Sequence, residues 1–177
     1  MTQDQVVGTE RNRPADVSKS NGETVVRFDA VKFAGLEGKA VYIFANDKLV
    51  RAKYVFDSQH TDLNGFIADF RAAEPVLAEA YGKPTGERAM WEDDATQEES
   101  IRYLVQDRSR PSDILPSDRL VGLAVSLGQL KLYTQWSRGR TKVLHALTGE
   151  NHRITHQIEF RSAELETLEN EVVRRGK

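Results

Sequence analysis

Four histidines, His60, His145, His152 and His156, are the side chains best suited to chemistry near neutral pH, because imidazole changes its charge there. His145 and His156 flank a stretch in which Gly149, Glu150 and Asn151 read as a hairpin turn. With Glu150 and Asn151 as a two-residue loop, His145 falls opposite His156. Strand alternation then puts both on one face with Val143, Leu147, Ile154 and Ile158. Two neutral imidazoles across a strand pair can hold a metal ion, but a metal site needs a third ligand and the spacing supplies none. The competing reading is a pair of half-buried sheet histidines hydrogen-bonded to their neighbours.

The other chemical residues form looser groups. Arg138, Arg140 and Lys142 make a compact basic turn beside Tyr133 and Trp136. Such a turn can hold a phosphate or stack on a base, or it can simply guard a sheet edge with charge. The acidic run at 92–99, EDDATQEE, lacks the glycine and the alternating oxygen ligands of a calcium loop. Ser126 lies in Ala-Val-Ser-Leu-Gly, which is not a nucleophile elbow. Glycine-rich phosphate loops are absent, so no cofactor is expected.

Composition narrows the classes. The chain has 177 residues, with 25 basic against 27 acidic side chains. A dedicated nucleic-acid binder usually carries a basic excess, so this balance argues against one. The absence of cysteine removes disulfides, thiolate metal sites and a cysteine nucleophile. No run approaches the roughly 18 apolar residues that a spanning helix needs. The first residues show neither a basic nor an apolar leader region. The sequence reads as cytoplasmic as given, or as periplasmic or envelope-located if an upstream leader was removed.

These groups need a scaffold. The clearest element is a hairpin at 39–57, KAVYIFANDKLVRAKYVFD, with Asn46 and Asp47 as its turn. A simple register pairs Ile43 with Val50 and Val41 with Ala52. It predicts a core face of Val41, Ile43, Ala45, Val50, Ala52, Tyr54 and Phe56. The opposite face then carries Tyr42, Phe44, Leu49, Arg51 and Lys53. Before it come a short helix capped by Thr2 with Gln5 in the capping-box position, a polar loop at 15–22, and a strand at 23–29. After it, Leu63, Phe66, Ile67, Phe70, Leu77 and Tyr81 recur at helical spacing. Pro75 either kinks that helix or begins a second one, and Gly82 ends it. A strand at 88–91 follows. Residues 101–105 read as a strand or a helical turn, and 108–119 as a long irregular connection. Residues 121–128 are apolar and ambiguous between helix and strand. A strand at 130–136 and the second hairpin come next. Ser162 then caps a last helix with Leu165, Leu168 and Val172 on one side.

The order is helix, strands, helix, strands, helix. Met1-Thr-Gln-Asp-Gln-Val6 followed by a proline and a meander resembles the opening of the small outer-membrane assembly lipoproteins of the BamE type. Two helix-plus-meander units in tandem resemble the β-lactamase inhibitor protein fold. Tyr42-Ile-Phe44, then Tyr81-Gly-Lys-Pro84, then Trp91 and Trp136, is also similar to a pattern in bacterial proteins of unassigned role. These resemblances imply a two-layer α+β sandwich and a binding, scaffolding or inhibitory role. The lipoprotein pattern has a lipid-anchor cysteine, which this sequence lacks.

The sequence therefore predicts an α+β protein built of two helix-plus-antiparallel-meander units, at 1–58 and 59–162, with a C-terminal helix at 163–177. Its expected role is non-enzymatic binding of another protein. The expected contact residues are Tyr42, Phe44, Arg51, Tyr133, Trp136, Arg138 and Arg140. The alternative is a small metal-dependent hydrolase using His145 and His156.

Overall fold

A computed structural model describes residues 1–20, 22–92, 120–165, 167 and 168. Among these are three helices, α1 (Gln3–Thr9), α2 (Asn64–Tyr81) and α3 (Val121–Ser126). The strands are β1 (Asp16–Ser20), β2 (Glu23–Phe33), β3 (Leu36–Ala45), β4 (Lys48–Phe56), β5 (Gly86–Trp91), β6 (Leu130–Arg138), β7 (Thr141–Glu150) and β8 (Arg153–Ser162). They form one eight-stranded antiparallel sheet in the order β1-β2-β3-β4-β8-β7-β6-β5. The class is α+β and mostly sheet. No helix among the described residues is long and apolar enough to cross a membrane.

The chain divides into two compact units, and neither is continuous in sequence. The first comprises Met1–Asp57, Trp136–Leu144 and the described residues of Gln157–Lys177. The second comprises Ser58–Gln135 and His145–His156. The sequential division at 58/59 therefore does not describe the packing. The reason is that β8 pairs with β4, through Tyr54 opposite Ile158 and Lys53 opposite Glu159, so the end of the chain returns to its beginning.

In the first unit, β1 to β4 form a meander. Residues 15–22, expected as loop, contain β1, every residue of which is exposed. A strand wet on both faces has no apolar alternation to betray it. The signal for it was the Asn21-Gly22 dipeptide, with Gly22 at φ +81°. The hairpin turn at Asn46 and Asp47 forms as expected, with φ of +47° and +59°. The register beyond it differs from the simple one. Phe44 pairs with Leu49, but Ile43 pairs with Arg51 and Val41 with Lys53, because a bulge falls at Val50. One extra residue swaps the faces of everything beyond it. Tyr42 and Phe44 thus join Ala40 on the core side, against Val26, Phe28 and Val6 of α1. The expected core positions Val41 and Ile43 lie instead beside Lys53 and Arg51.

Helix α1 is fixed by its caps. Thr2 and Gln5 form the reciprocal capping box, and the Gln3 amide donates to Asp47 Oδ1 at 3.1 Å. The aromatic face of Tyr42, Phe44 and Leu49 is therefore covered by the chain's own first helix. Full burial of Phe44 stabilises the unit by about 1.5–3 kcal/mol. Near the turn, Leu165 and Leu168 cover Ala45 and Val50. The remainder of the expected C-terminal helix lies outside the described residues, apart from helical Thr167 and Leu168.

In the second unit, α2 is a single helix with Pro75 inside it. It buries Ile67, Phe70, Ala73 and Leu77. The apolar stretch at 121–128 is α3, held close by two glycines. A Cβ on Gly122 would come within 2.3 Å of the Leu63 carbonyl carbon, and one on Gly149 within 2.0 Å of the Val125 oxygen. Only glycine permits both approaches. Leu130, Leu132 and Leu147 complete this core with Val121, Ala124 and Val125. The expected strand or turn at 101–105 and the connection at 108–119 lie outside the described residues.

Candidate binding groove and the buried histidine pair

The two sheet histidines meet. The turn between β7 and β8 is Asn151-His152, with φ of +50° and +62°, one residue later than expected. Moving a two-residue turn by one position changes each pairing by two residues, which keeps every side chain on its face. His145 and His156 therefore still point the same way. Their Nε2 atoms are 2.8 Å apart. The rings are 0% and 2% exposed, and Phe70 stacks on His145 at 3.9 Å with an interplanar angle of 12°.

Burial, and secondarily the neighbouring imidazole, lowers the pKa of His145 to about 3. Burial lowers that of His156 to about 4, against an opposing pull from Asp69. The pair is neutral near pH 7, with one Nε2–H donating to the other Nε2. Asp69 is itself engaged by His60, at 2.7 Å from Nε2. Among the described residues no three His, Cys, Asp or Glu side chains are placed to share a metal ion. A buried, neutral pair stacked on an aromatic ring is a core element. Ser126 is equally internal, and its hydroxyl donates to the Leu123 carbonyl at 2.8 Å.

The expected contact residues separate. Phe44 and Trp136 are buried and offer no surface to a partner. Tyr42 is half-buried, and its hydroxyl donates to the Glu10 carboxylate. Burial first, then that contact, raises its pKa. Arg51 belongs to a cluster on β4 and β8, where its Nη1 lies 3.9 Å from Glu159. Lys53 approaches the same carboxylate at 3.0 Å and Arg161 bonds it directly. Burial would raise the Glu159 pKa, but the hydrogen bonds and charges of Lys53 and Arg161 bring it below the usual range. Arg138 and Arg140 are exposed at the β6–β7 turn, and Arg140 pairs with Glu164 at 3.1 Å. Of the acidic run only Glu92 falls among the described residues.

Tyr133 alone leads to an open site. It lies on the face of β6 opposite Leu130, Leu132 and Thr134, within a groove of about 980 Å³. Lys131 shares that strand, Thr148 and Glu150 come from β7, and Arg153 and Thr155 from β8. Leu127, Gly128 and Asn151 close one end, together with Glu92. Arg88 pairs with Tyr133 and Met90 with Lys131 across β5 and β6, so the same face continues onto β5. Met90 is 49% exposed. Among the described residues the side chains of Lys131, Tyr133, Glu150 and Arg153 make no ion pair or hydrogen bond. Sequence reasoning missed Lys131 and Arg153 because polar residues at alternate strand positions read as ordinary solvated surface. That they pair with no described residue is visible only in three dimensions.

Comparison with protein-family models, curated proteins and solved structures returns no match to this chain.

Proposed function

We propose that the protein is a non-catalytic protein-binding module, of scaffold or inhibitor type, and that it meets its partner with the face of β5 to β8 that carries Tyr133. The observation that carries this reading is the groove around Tyr133. It is open, and its Tyr133, Lys131, Glu150 and Arg153 side chains make no ion pair or hydrogen bond among the described residues. Interfaces favour Tyr and Arg as anchors in such positions. The element order supports a further part of the reading. Each of α1 and α2 precedes four strands, and β1-β2-β3-β4 meets β8-β7-β6-β5 in mirrored order. That arrangement favours a tandem origin from one helix-plus-meander unit, as in the BamE-like and β-lactamase-inhibitor-like resemblance. A hydrolase using His145 and His156 finds no comparable support, since both rings are in the core.

The test is capture from the native host with the wild-type chain and with a Tyr133→Ala/Lys131→Glu/Arg153→Glu variant. The variant is expected to keep the wild-type unfolding midpoint and to lose the partner that wild type retains. A partner retained equally by both chains would refute the assignment of the surface.

A further inference from the structure

We propose that the groove is proton-sensitive, because the two strands that carry it on one face carry the His145–His156 pair on the other. The inference rests on the reading of the groove as a binding surface and adds its regulation. On β7, His145 points inward three residues before groove-lining Thr148. On β8, His156 points inward directly after groove-lining Thr155. Anything that parts these two strands on the inside alters the groove on the outside.

The geometry makes the pair intolerant of a second proton. Facing Nε2 atoms 2.8 Å apart can share one proton between them, as donor and acceptor. One added proton makes a single imidazolium that can still donate to its neutral neighbour, but a second sets two like charges face to face in a site that water does not reach. Phe70, stacked at 3.9 Å on His145 and 5.8 Å from His156 by ring centroids, stops the rings from turning aside. Relief then requires movement of the strands themselves.

Of the charged groups around the pair within this unit, Asp69 favours charge on His156 but is outweighed by burial. From α2, Asp69 is held by His60 at 2.7 Å. Glu74, also on α2, accepts from Thr134 of β6 at 2.7 Å. Burial raises the Glu74 pKa, so this carboxylate is among the first of its kind to become neutral in acid. The α3 side that joins the core, with Val121, Ala124 and Val125, has no titratable group. The turn that joins the two strands has both residues at positive φ, a conformation easily given up when the strands part.

The test is amide hydrogen exchange of the full chain at about pH 7 and about pH 4.5, corrected for the intrinsic rate. Protection over 145–156 is expected to fall at least about tenfold in acid, while protection over 23–45 holds. A His145→Leu/His156→Leu variant should keep its protection at both values. Loss of protection in that variant as well, or a uniform loss across the chain, would overturn the proposal. Should the variant fail to fold, imidazole nitrogen shifts of the wild type decide the matter. His145 and His156 are expected to stay neutral, as opposite tautomers, until the β7–β8 amides shift. Reversible titration of both above about pH 6, with those amides unmoved, would contradict it. Tyr133→Ala is expected to leave this pH response intact, so failure of the switch and failure of the binding surface are read separately.

Discussion

The two units treat the charged side of their strands in opposite ways. In the first, the cations on that side are matched. Lys53 and Arg161 close on buried Glu159, Lys39 lies 3.0 Å from Asp57, and Arg27 lies 3.2 Å from Asp29. In the second, Lys131 and Arg153 line a groove beside Tyr133 and engage no carboxylate among the described residues. Residue types are alike on both faces. What differs is whether the charges are paired among the described residues, and on the proposed reading that difference separates a structural surface from a binding one. Charge on a strand is therefore a poor functional marker until its partners are known.

The contrast can be broken most forcefully at its buried anion. Glu159→Ala removes the charged hydrogen bonds of Lys53 and Arg161, and should cost about 2 kcal/mol in urea unfolding. Lys131→Ala and Arg153→Ala, which remove charges of the same sign from the groove, should each stay within about 0.5 kcal/mol of wild type. Comparable losses for all three variants would erase the distinction between the faces.

Acid offers the next largest effect and divides the units by pH. The folded pKa values of His145 and His156, about 3 and 4, lie below the unfolded value of roughly 6.5. The unfolded chain binds more protons between these limits, so stability is complete above roughly pH 6.5 and falls as pH drops towards the folded values. Glu159 is also lowered by its partners, but its unfolded value lies near the ordinary 4.5. Its contribution is therefore present above that value and is lost only below it. Between about pH 6 and 5 the second unit alone should weaken, as read by exchange of its amides against those of β2 and β3. Simultaneous weakening would show that the two sites do not act as separate elements.

A smaller effect sharpens the account of the covered aromatic face. Thr2→Ala removes the cap on α1 and should cost about 1 kcal/mol. Because α1 covers Tyr42 and Phe44, their surroundings should loosen, seen as faster exchange near β3, while Tyr133 and the groove stay unchanged. Equal loosening at both places would argue against independent packing of that helix.

Much of this was legible in the sequence, for definite reasons. The capping box of α1, the Asn46-Asp47 turn and the shared face of His145 and His156 follow from local chemistry and from a period of two. The histidine face survived even a misplaced turn, because moving a two-residue turn does not exchange faces. The hairpin faces did not survive, because the bulge at Val50 adds one residue and reverses them. Nothing local to Ile43 or Val50 announces that bulge. It is set by α1 burying Phe44 on one side and by Leu165 and Leu168 covering Val50 on the other. β1 was hidden because it buries nothing. The discontinuous units were hidden because the pairing of β8 with β4 joins residues more than a hundred positions apart. Of the candidate contact residues, Tyr133 alone lies in the groove, since a sequence cannot say which charged neighbours have found partners.

The central claim is that the open groove of the second unit, and not the neutralised face of the first, meets a partner. It is tested most directly by placing a photo-crosslinking amino acid at position 133 in one chain and at position 41 in another, each expressed in the native host. Position 41 lies on β3 opposite Lys53 and so reports the neutralised face. The account predicts a discrete adduct from position 133 and none from position 41. No adduct at 133, or an equally strong one at 41, would contradict it.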